Sequence, residues 1–152
     1  MKVTTQDKLK ELGITLPATA KPVAAFVMTA RAGNLLFVSG HIARKDGKPW
    51  VGQLGRNMTT AEGKAAAHAV ALDLMATLQD ALGNLDKVKR IVKALCLVNS
   101  TGEFNEQHLV ANGCSELLVS VFGQRGAHAR SAFGVAQLPL GACVEVELIV
   151  EV

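Results

Sequence analysis

Three charged side chains lie in the C-terminal part of the sequence among residues that are otherwise apolar. Arg130 belongs to the segment HARSAFGV, and Glu145 and Glu147 belong to the segment VEVELIVEV. Removing an ion from water costs several kcal/mol unless an opposite charge or a set of hydrogen bonds compensates. We therefore expect each of the three to face a partner in the chain, solvent or a charged ligand.

Each residue type suggests its own chemistry. The planar guanidinium of Arg130 can hold a carboxylate through two parallel hydrogen bonds, and an internal salt bridge to Glu145 or Glu147 is the alternative. Glu145 and Glu147 are two residues apart, so they project from the same face of a strand. Repulsion there would raise the pKa of one carboxyl toward the range of a general base, whereas on an exposed edge the pair would be merely solvated.

The four histidines give fewer indications. They show no metal-ligand spacing, and the sequence contains none of the motifs GxGxxG, GxxxxGK(S/T), HExxH and GxSxG. We expect His68 and His108 to be exposed on helices. His41, which follows the sequence VSG, and His128, two residues before Arg130, are candidates to line a pocket.

The composition is that of a single domain over residues 1–152. Hydrophobic residues make up 49% of the chain and charged residues 19%, which suggests a surface buried between subunits. The basic residues behind the net charge of +3 are scattered, so nucleic-acid binding is not favoured. The polar N-terminus and the lack of about 18 successive apolar residues predict a cytoplasmic protein that does not enter a membrane. Three cysteines without CxxC or metal-ligand spacing are expected to be buried free thiols: Cys96, Cys114 and Cys143.

The N-terminal half predicts a short helix, a hairpin and a loop. Thr5, the following QDKLKEL and Gly13 have the N-cap and the C-terminal glycine of a short amphipathic helix. Strand-like runs flank the turn sequence AGN at residues 32–34, which predicts a hairpin. Residues 41–58 contain several glycines and a proline, so we expect mostly turns there, at the rim of a site.

A long helix is predicted next, because Thr59-x-x-Glu62 forms a capping-box pattern and Gly83 follows the last periodic residue, Leu82. Polar residues recur on one side at helical spacing: Lys64, His68, Asp73, Thr77 and Asp80. The face that we expect to pack on a sheet contains Ala65, Ala69, Leu72, Met75 and Leu82.

The C-terminal half predicts a strand in VKRIVKALCLVNS, a helix in FNEQHLVANGCSELLVSVF closed by Gly123, and two strands joined by a tight turn in residues 128–152. The resulting order is ββ, α, β, α, ββ after the leading helix. This order predicts an α+β sandwich in which the two main helices lie on one face of a mixed β-sheet. The other face, also apolar, would need a neighbouring subunit to cover it.

Several of these segments together resemble the YjgF/RidA family, the reactive-intermediate imine deaminases that are also described as L-PSP endoribonucleases. The resemblance rests on HARSAFGVAQLP, VEVELIVEV, NLLFVSGHI, LDKVKRIVKALCLVN and the helix NGCSELL, and it covers the chain from residue 24 onward. It implies a chorismate-mutase-like sandwich that assembles as a homotrimer, with ligand sites between subunits.

The resemblance also implies a site. Arg130 would hold the carboxylate of a 2-imino acid, and Glu145 would position or deprotonate the attacking water. Ser39 and Gly40 would contribute wall and backbone contacts, and Asn112 would lie near the pocket. Water would add to the imine carbon and ammonia would leave, so that a 2-keto acid remains, and no metal or organic cofactor is required.

The sequence departs from the family pattern at two site positions. The cysteine that usually follows two residues after the arginine is Ala132 here, although its backbone can still donate to a ligand. The usual pocket tyrosine is Phe26, in a chain that contains no tyrosine. A longer N-terminus, a longer loop after Gly40 and extra residues before Asn112 indicate a longer-chain subgroup.

Three functions remain open at this point. The first is hydrolysis of imines or enamines by Arg130 and Glu145. The second is a non-catalytic trimer that binds keto acids or other small carboxylates. The third, ribonuclease activity or inhibition of translation, ranks last because the sequence has no basic groove and no histidine pair placed for acid–base cleavage.

Overall fold

The computed structural model describes residues 1–152, which form seven strands and three α-helices. In chain order these are α1 (Thr5–Glu11), β1 (Thr29–Ala32), β2 (Leu35–Ile42), β3 (Arg44–Lys45), β4 (Lys48–Pro49), α2 (Thr60–Leu82), β5 (Arg90–Asn99), α3 (Gln107–Phe122), β6 (Ala129–Val135) and β7 (Val144–Glu151). The predicted α+β sandwich is confirmed, since α2 and α3 pack on the same face of a mixed sheet. No helix is long and apolar enough to cross a membrane.

The main sheet has the strand order β1-β2-β7-β5-β6, and only β5 and β6 are parallel. The predicted C-terminal hairpin is therefore wrong, because β5 lies between β6 and β7. Helix α3 forms the crossover from β5 to β6, and such a crossover makes the two strands parallel. The free edge of β5 is then left for β7, which pairs with it and with β2 in antiparallel fashion. Arg130 on β6 and Glu145 on β7 are consequently not on neighbouring strands.

The sequence patterns that predicted the two ends of α2 are confirmed. The side chain of Thr59 and the carboxylate of Glu62 form the predicted capping box, and Gly83 ends the helix in a left-handed conformation. The predicted packing face is confirmed only in part. Met75 is buried, and Leu72 and Leu82 are partly buried against the core, whereas Ala65 is exposed. The residues that are buried along the helix are Gly63, Ala66, Ala67, Val70, Ala71, Leu74, Met75, Ala76, Thr77 and Leu78. Alanines lie on every side of this helix, so hydrophobicity alone could not define the buried side.

The leading helix α1 begins one residue earlier than predicted, because Thr4 is its N-cap. Thr5 is instead buried, and its N–H and hydroxyl both donate to Oδ1 of Asp86, at 2.7 and 2.6 Å. The predicted hairpin forms from β1 and β2. The outer face of the sheet carries partly exposed aromatic side chains, among them Phe37 and Phe133.

Candidate functional site

A β-bulge interrupts β2 at Ser39 and Gly40. Val38 pairs with Leu148 of β7 and His41 pairs with Val146, so the two bulge residues lie opposite the single residue between them on β7. Bulges often occur beside functional sites because they redirect side chains and open the ladder. At this bulge the backbone comes close to a neighbouring side chain on β7.

The neighbouring side chain is that of Glu145. A methyl group built at Gly40 would collide with the carboxylate oxygen of Glu145, so a larger residue at this position would require that side chain to move. Glu145 and Gly40 both line a cavity of about 400 Å³, together with Phe26 and the turn residue Leu140. Three of the residues that the resemblance implied are thus brought together here. We call this region the Glu145 cavity.

Glu145 is half-buried and takes part in no ion pair, since the ion pairs of the chain are Lys8–Glu11 and Lys64–Glu116. Burial raises the pKa of its carboxyl, and the negative charge of Glu147 on the same strand face raises it further. The sequence predicted a raised carboxyl pKa from the repulsion between Glu145 and Glu147, but burial is the larger cause. A carboxylate with a raised pKa in an apolar cavity has the properties of a general base.

Ser39 and His41 hold the bulge in place. The hydroxyl of Ser39 donates to the carbonyl of Val27 at 2.6 Å, which fixes the segment that carries Phe26. The carbonyl of Ser39 accepts from Nδ1 of His41 at 2.6 Å, so Nε2 of the buried ring accepts from the hydroxyl of Thr77 at 2.7 Å. Burial lowers the pKa of His41, which is consistent with a neutral ring. His41 lines the cavity, as the sequence suggested.

Three further charged residues line the cavity and were missed from the sequence: Lys21, Arg44 and Asp73. Burial raises the pKa of Asp73, and the positive charge of Arg44 partly offsets this. From the sequence, Asp73 was placed on the polar side of its helix, opposite the predicted packing face. Because alanines lie on every side of α2, the sequence did not show that Asp73 lies on a partly buried side of the helix.

Arg130 lies on the side of β6 that faces α3. Its Nη1 donates to Oδ1 of Asn112 at 2.9 Å and to Oγ of Ser115 at 3.1 Å, and its Nη2 donates to the carbonyl of His108 at 3.2 Å. The alternative of an internal salt bridge is wrong, because these acceptors are all neutral. We call Arg130, Asn112, Ser115, His128 and the His108 carbonyl the Arg130 cluster.

The positions of these acceptors could have been found from helical spacing. Residues 108, 112 and 115 are four and three apart, so they lie on one face of α3. The resemblance pointed to Asn112, whereas Ser115 and the carbonyl of His108 were not predicted. Both His68 and the side chain of His108 are exposed, as predicted, whereas His128 bonds to Ser115 rather than lining the cavity.

The Arg130 cluster and the Glu145 cavity do not meet within one chain. Strand β5 separates the two strands, and the two side chains point to opposite faces of the sheet. Arg130 is the register partner of the buried Ala94, so its side chain points to the face that α3 covers. Glu145 lies between the buried Val144 and Val146 on its strand, so its side chain points to the other face. Ala132 accompanies Arg130 on β6 and packs partly against the core. One chain therefore carries two separate halves of the site that the resemblance implies.

The three cysteines are free and buried, as predicted. Burial raises the pKa of Cys96 to about 12 and that of Cys143 to about 11, and it also raises the pKa of Cys114. Such thiols carry little thiolate at neutral pH and are poor nucleophiles. No group of three or more histidine, cysteine, aspartate and glutamate side chains is arranged to hold a metal ion.

Comparison with known proteins finds relatives along nearly the whole chain. A family model described as "YjgF/chorismate_mutase-like, putative endoribonuclease" matches residues 6–152. "Protein TCP17" of Trypanosoma cruzi is 52% identical over 145 residues, which are 94% of this chain and 91% of that protein. The crystal structure of Atu1372 from Agrobacterium tumefaciens, of unknown function, is 43% identical with a TM-score of 0.89, over 97% of this chain and 92% of that one.

A second crystal structure, described as a "putative endoribonuclease" from Shewanella oneidensis MR-1, is 30% identical with a TM-score of 0.94, over 98% of this chain and 99% of that one. The family model and the relatives cover the bulge of β2, the acceptors on α3 and both charged strands. The chain belongs to the YjgF/RidA family.

Proposed function

We propose that this protein hydrolyses 2-imino and enamine acids to 2-keto acids and ammonia, at sites between the subunits of a homotrimer. The observation that carries the proposal is that neither Arg130 nor Glu145 has a partner of opposite charge. Arg130 is held by neutral acceptors and has no carboxylate partner, and Glu145 is desolvated in a mainly apolar cavity. Each charge therefore lacks the partner that a bound substrate and water would supply.

In the proposed reaction Arg130 binds the substrate carboxylate, and Glu145 accepts a proton from a water molecule. The oxygen of this water bonds to the imine carbon, and the proton held by Glu145 passes to the nitrogen. The new hydroxyl then gives up its proton to become the keto oxygen, the carbon–nitrogen bond breaks, and ammonia leaves with both protons of the water. Imines hydrolyse without a catalyst, so an oriented water and a proton acceptor suffice. Phe26 and Gly40 form the wall beside Glu145. In the proposed site the backbone N–H of Ala132, two residues after Arg130, would be a further donor to the substrate.

The separation of the two halves supports a shared site. A neighbouring subunit would bring its Arg130 cluster to the Glu145 cavity and would cover the outer sheet face, where Phe37 and Phe133 are partly exposed. A closed ring of identical subunits repeats one such contact at every interface. A monomeric mass in solution at micromolar concentration would contradict this assembly.

Subunit mixing tests the proposal directly. Arg130→Ala and Glu145→Gln chains with different tags are co-expressed, and trimers that contain both are isolated. Each variant alone is expected to lose imine turnover, whereas a trimer that contains both variants has an intact Arg130–Glu145 pair at one of its interfaces, about a third of the total. Restored turnover supports a shared site. Mixed trimers that stay inactive would show that both residues must come from one chain.

A non-catalytic carboxylate-binding trimer is the second candidate, favoured by the loss of thiol and phenol at Ala132 and Phe26. The discriminating measurement is turnover by the wild-type protein of an imine that an amino-acid oxidase generates in situ. Keto-acid binding without turnover would favour the second candidate. Cleavage of RNA by the same preparation, lost in Arg130→Ala, would favour the endoribonuclease description that some relatives carry.

A further inference from the structure

His128 lies two residues before Arg130, and its hydrogen bonds define which nitrogen of the neutral ring carries the hydrogen. Nδ1 is 2.6 Å from the carbonyl of Gly126, and Nε2 is 2.9 Å from Oγ of Ser115. A carbonyl only accepts, so Nδ1 carries the proton. In the neutral ring Nε2 is then an acceptor, and the hydroxyl of Ser115 donates to it.

This arrangement determines whether Ser115 acts as a hydrogen-bond donor or acceptor toward Arg130. Since its proton is directed to His128, the oxygen of Ser115 presents lone pairs to Nη1 of Arg130 at 3.1 Å. Asn112 accepts the other hydrogen of Nη1, and the carbonyl of His108 accepts one from Nη2. A guanidinium has about five N–H donors, so Nε–H and one Nη2–H remain free. These two can form the parallel fork that binds a carboxylate.

We propose that His128 is a positioning residue that aims the free edge of Arg130 at the substrate by fixing the proton of Ser115. The inference rests on the proposed function and extends it to a residue that would not touch the substrate. Without an acceptor at position 128, the hydroxyl of Ser115 is free to donate to a carbonyl of the preceding turn of α3. The oxygen would then no longer be held as an acceptor toward Nη1, and the guanidinium would lose one of its fixed contacts.

The test compares His128→Leu, which removes the acceptor, with His128→Gln, whose amide oxygen can still accept from Ser115. His68→Leu is the matched control, because His68 is an exposed histidine on α2. Pyruvate serves as the probe of carboxylate binding. His128→Leu is expected to raise both the Kd for pyruvate and KM for the imine about tenfold, with kcat nearly unchanged, as for loss of a hydrogen bond to a charged group. His128→Gln should stay within about twofold of the wild type, as should His68→Leu.

A second measurement separates this inference from the proposed function. In the wild-type protein the Nη hydrogens of Arg130 should give distinct, slowly exchanging NMR signals, because three acceptors hold the group. These signals are expected to merge in His128→Leu and in Ser115→Ala, whether or not any imine is turned over. Unchanged Arg130 signals in both folded variants, or an unchanged Kd for pyruvate in His128→Leu, would overturn the positioning role. Absent turnover by the wild type would instead count against the proposed function, and the NMR comparison would still decide the role of His128.

Discussion

The Arg130 cluster and the Glu145 cavity handle charge in opposite ways. Arg130 makes three hydrogen bonds to neutral atoms that keep its position without neutralising it. Glu145 has no partner of opposite charge, and burial together with Glu147 raises the pKa of its carboxyl. A group that binds an anion gains from fixed geometry, whereas a group that accepts a proton gains from an environment that disfavours its charged form.

The two regions also lie on strands in different positions of the sheet. Arg130 is on β6, an edge strand backed by α3, where several side chains can reach one guanidinium. Glu145 is on β7, inside the sheet, where the bulge at Gly40 makes room for a carboxylate but supplies no charged partner. The variants below change one region at a time, and they are ordered from the largest expected effect to the smallest.

Replacing Arg130 is expected to have the largest effect. Removing a bidentate contact to a charged group costs about 2 to 4 kcal/mol, or roughly 30- to 1000-fold in kcat/KM. Arg130→Lys should fail nearly as badly as Arg130→Ala, because an ammonium cannot reproduce the planar fork. The measurements are imine turnover, thermal midpoint and mass in solution. A folded Arg130→Ala trimer with wild-type turnover would end the hypothesis, and a variant that unfolds would show a structural role instead.

Gly40→Ala should have a smaller effect, confined to the other region. The new methyl group would meet the carboxylate of Glu145, which must move away. Because the group that moves is the end of a flexible side chain, the variant should stay folded, but a displaced base should lower kcat about tenfold while pyruvate binding at Arg130 persists. Gly102→Ala is the control, because a methyl group there would meet no atom within 4 Å. Equal kcat in the two variants would show that Glu145 needs no fixed position.

The sequence predicted those parts of the fold that depend on neighbouring residues. The capping box of Thr59 and Glu62 and the β1–β2 turn are set by local hydrogen bonds and backbone conformation, and both are confirmed. The C-terminal hairpin was wrong because the pairing of β6 depends on the path of α3, which no local pattern records. The buried side of α2 was predicted only in part, at Met75, Leu72 and Leu82, because alanines surround the helix.

The candidate site shows the same division. The resemblance identified Phe26, Gly40 and Glu145, which the structure brings to one cavity. It could not identify Ser115, whose role depends on the side-chain contacts between α3 and β6. Asp73 was placed on the polar side of α2 for the same reason that the buried side of this helix was predicted only in part. Residue type and spacing thus indicate the chemistry, whereas the partners of each group depend on how distant elements pack.

Glu145→Gln should increase stability slightly at neutral pH. Because its carboxyl pKa is raised in the folded state, the folded protein binds more protons than the unfolded chain as the pH rises above 4.5. Stability is therefore lost as the pH rises through that window, and an amide at this position avoids the loss. Since the side chain is only half-buried, we expect the thermal midpoint at pH 7 to rise by about 2 °C or less. The gain should disappear below pH 4.5.

The control for this comparison is Glu147→Gln, which removes only the second cause of the shift, the repulsion from a neighbouring charge. Its effect on the thermal midpoint should be smaller than that of Glu145→Gln and of the same sign. A Glu145→Gln variant that is less stable than the wild type at pH 7 would mean that the carboxylate has a favourable partner in the assembled protein.

Alkylation of the thiols should have the smallest effect, namely none on turnover. Neither region uses a thiol, since Ala132 replaces the cysteine that usually accompanies the arginine. The thiols of the chain are buried, and burial raises the pKa of each, so iodoacetamide at neutral pH should react slowly with Cys96, Cys114 and Cys143. Mass spectrometry after treatment gives the extent of modification at each position, and the imine assay gives the remaining activity. Lost turnover in protein that is still folded, with the modification mapped to a cysteine, would show that thiol chemistry has a part in the site after all.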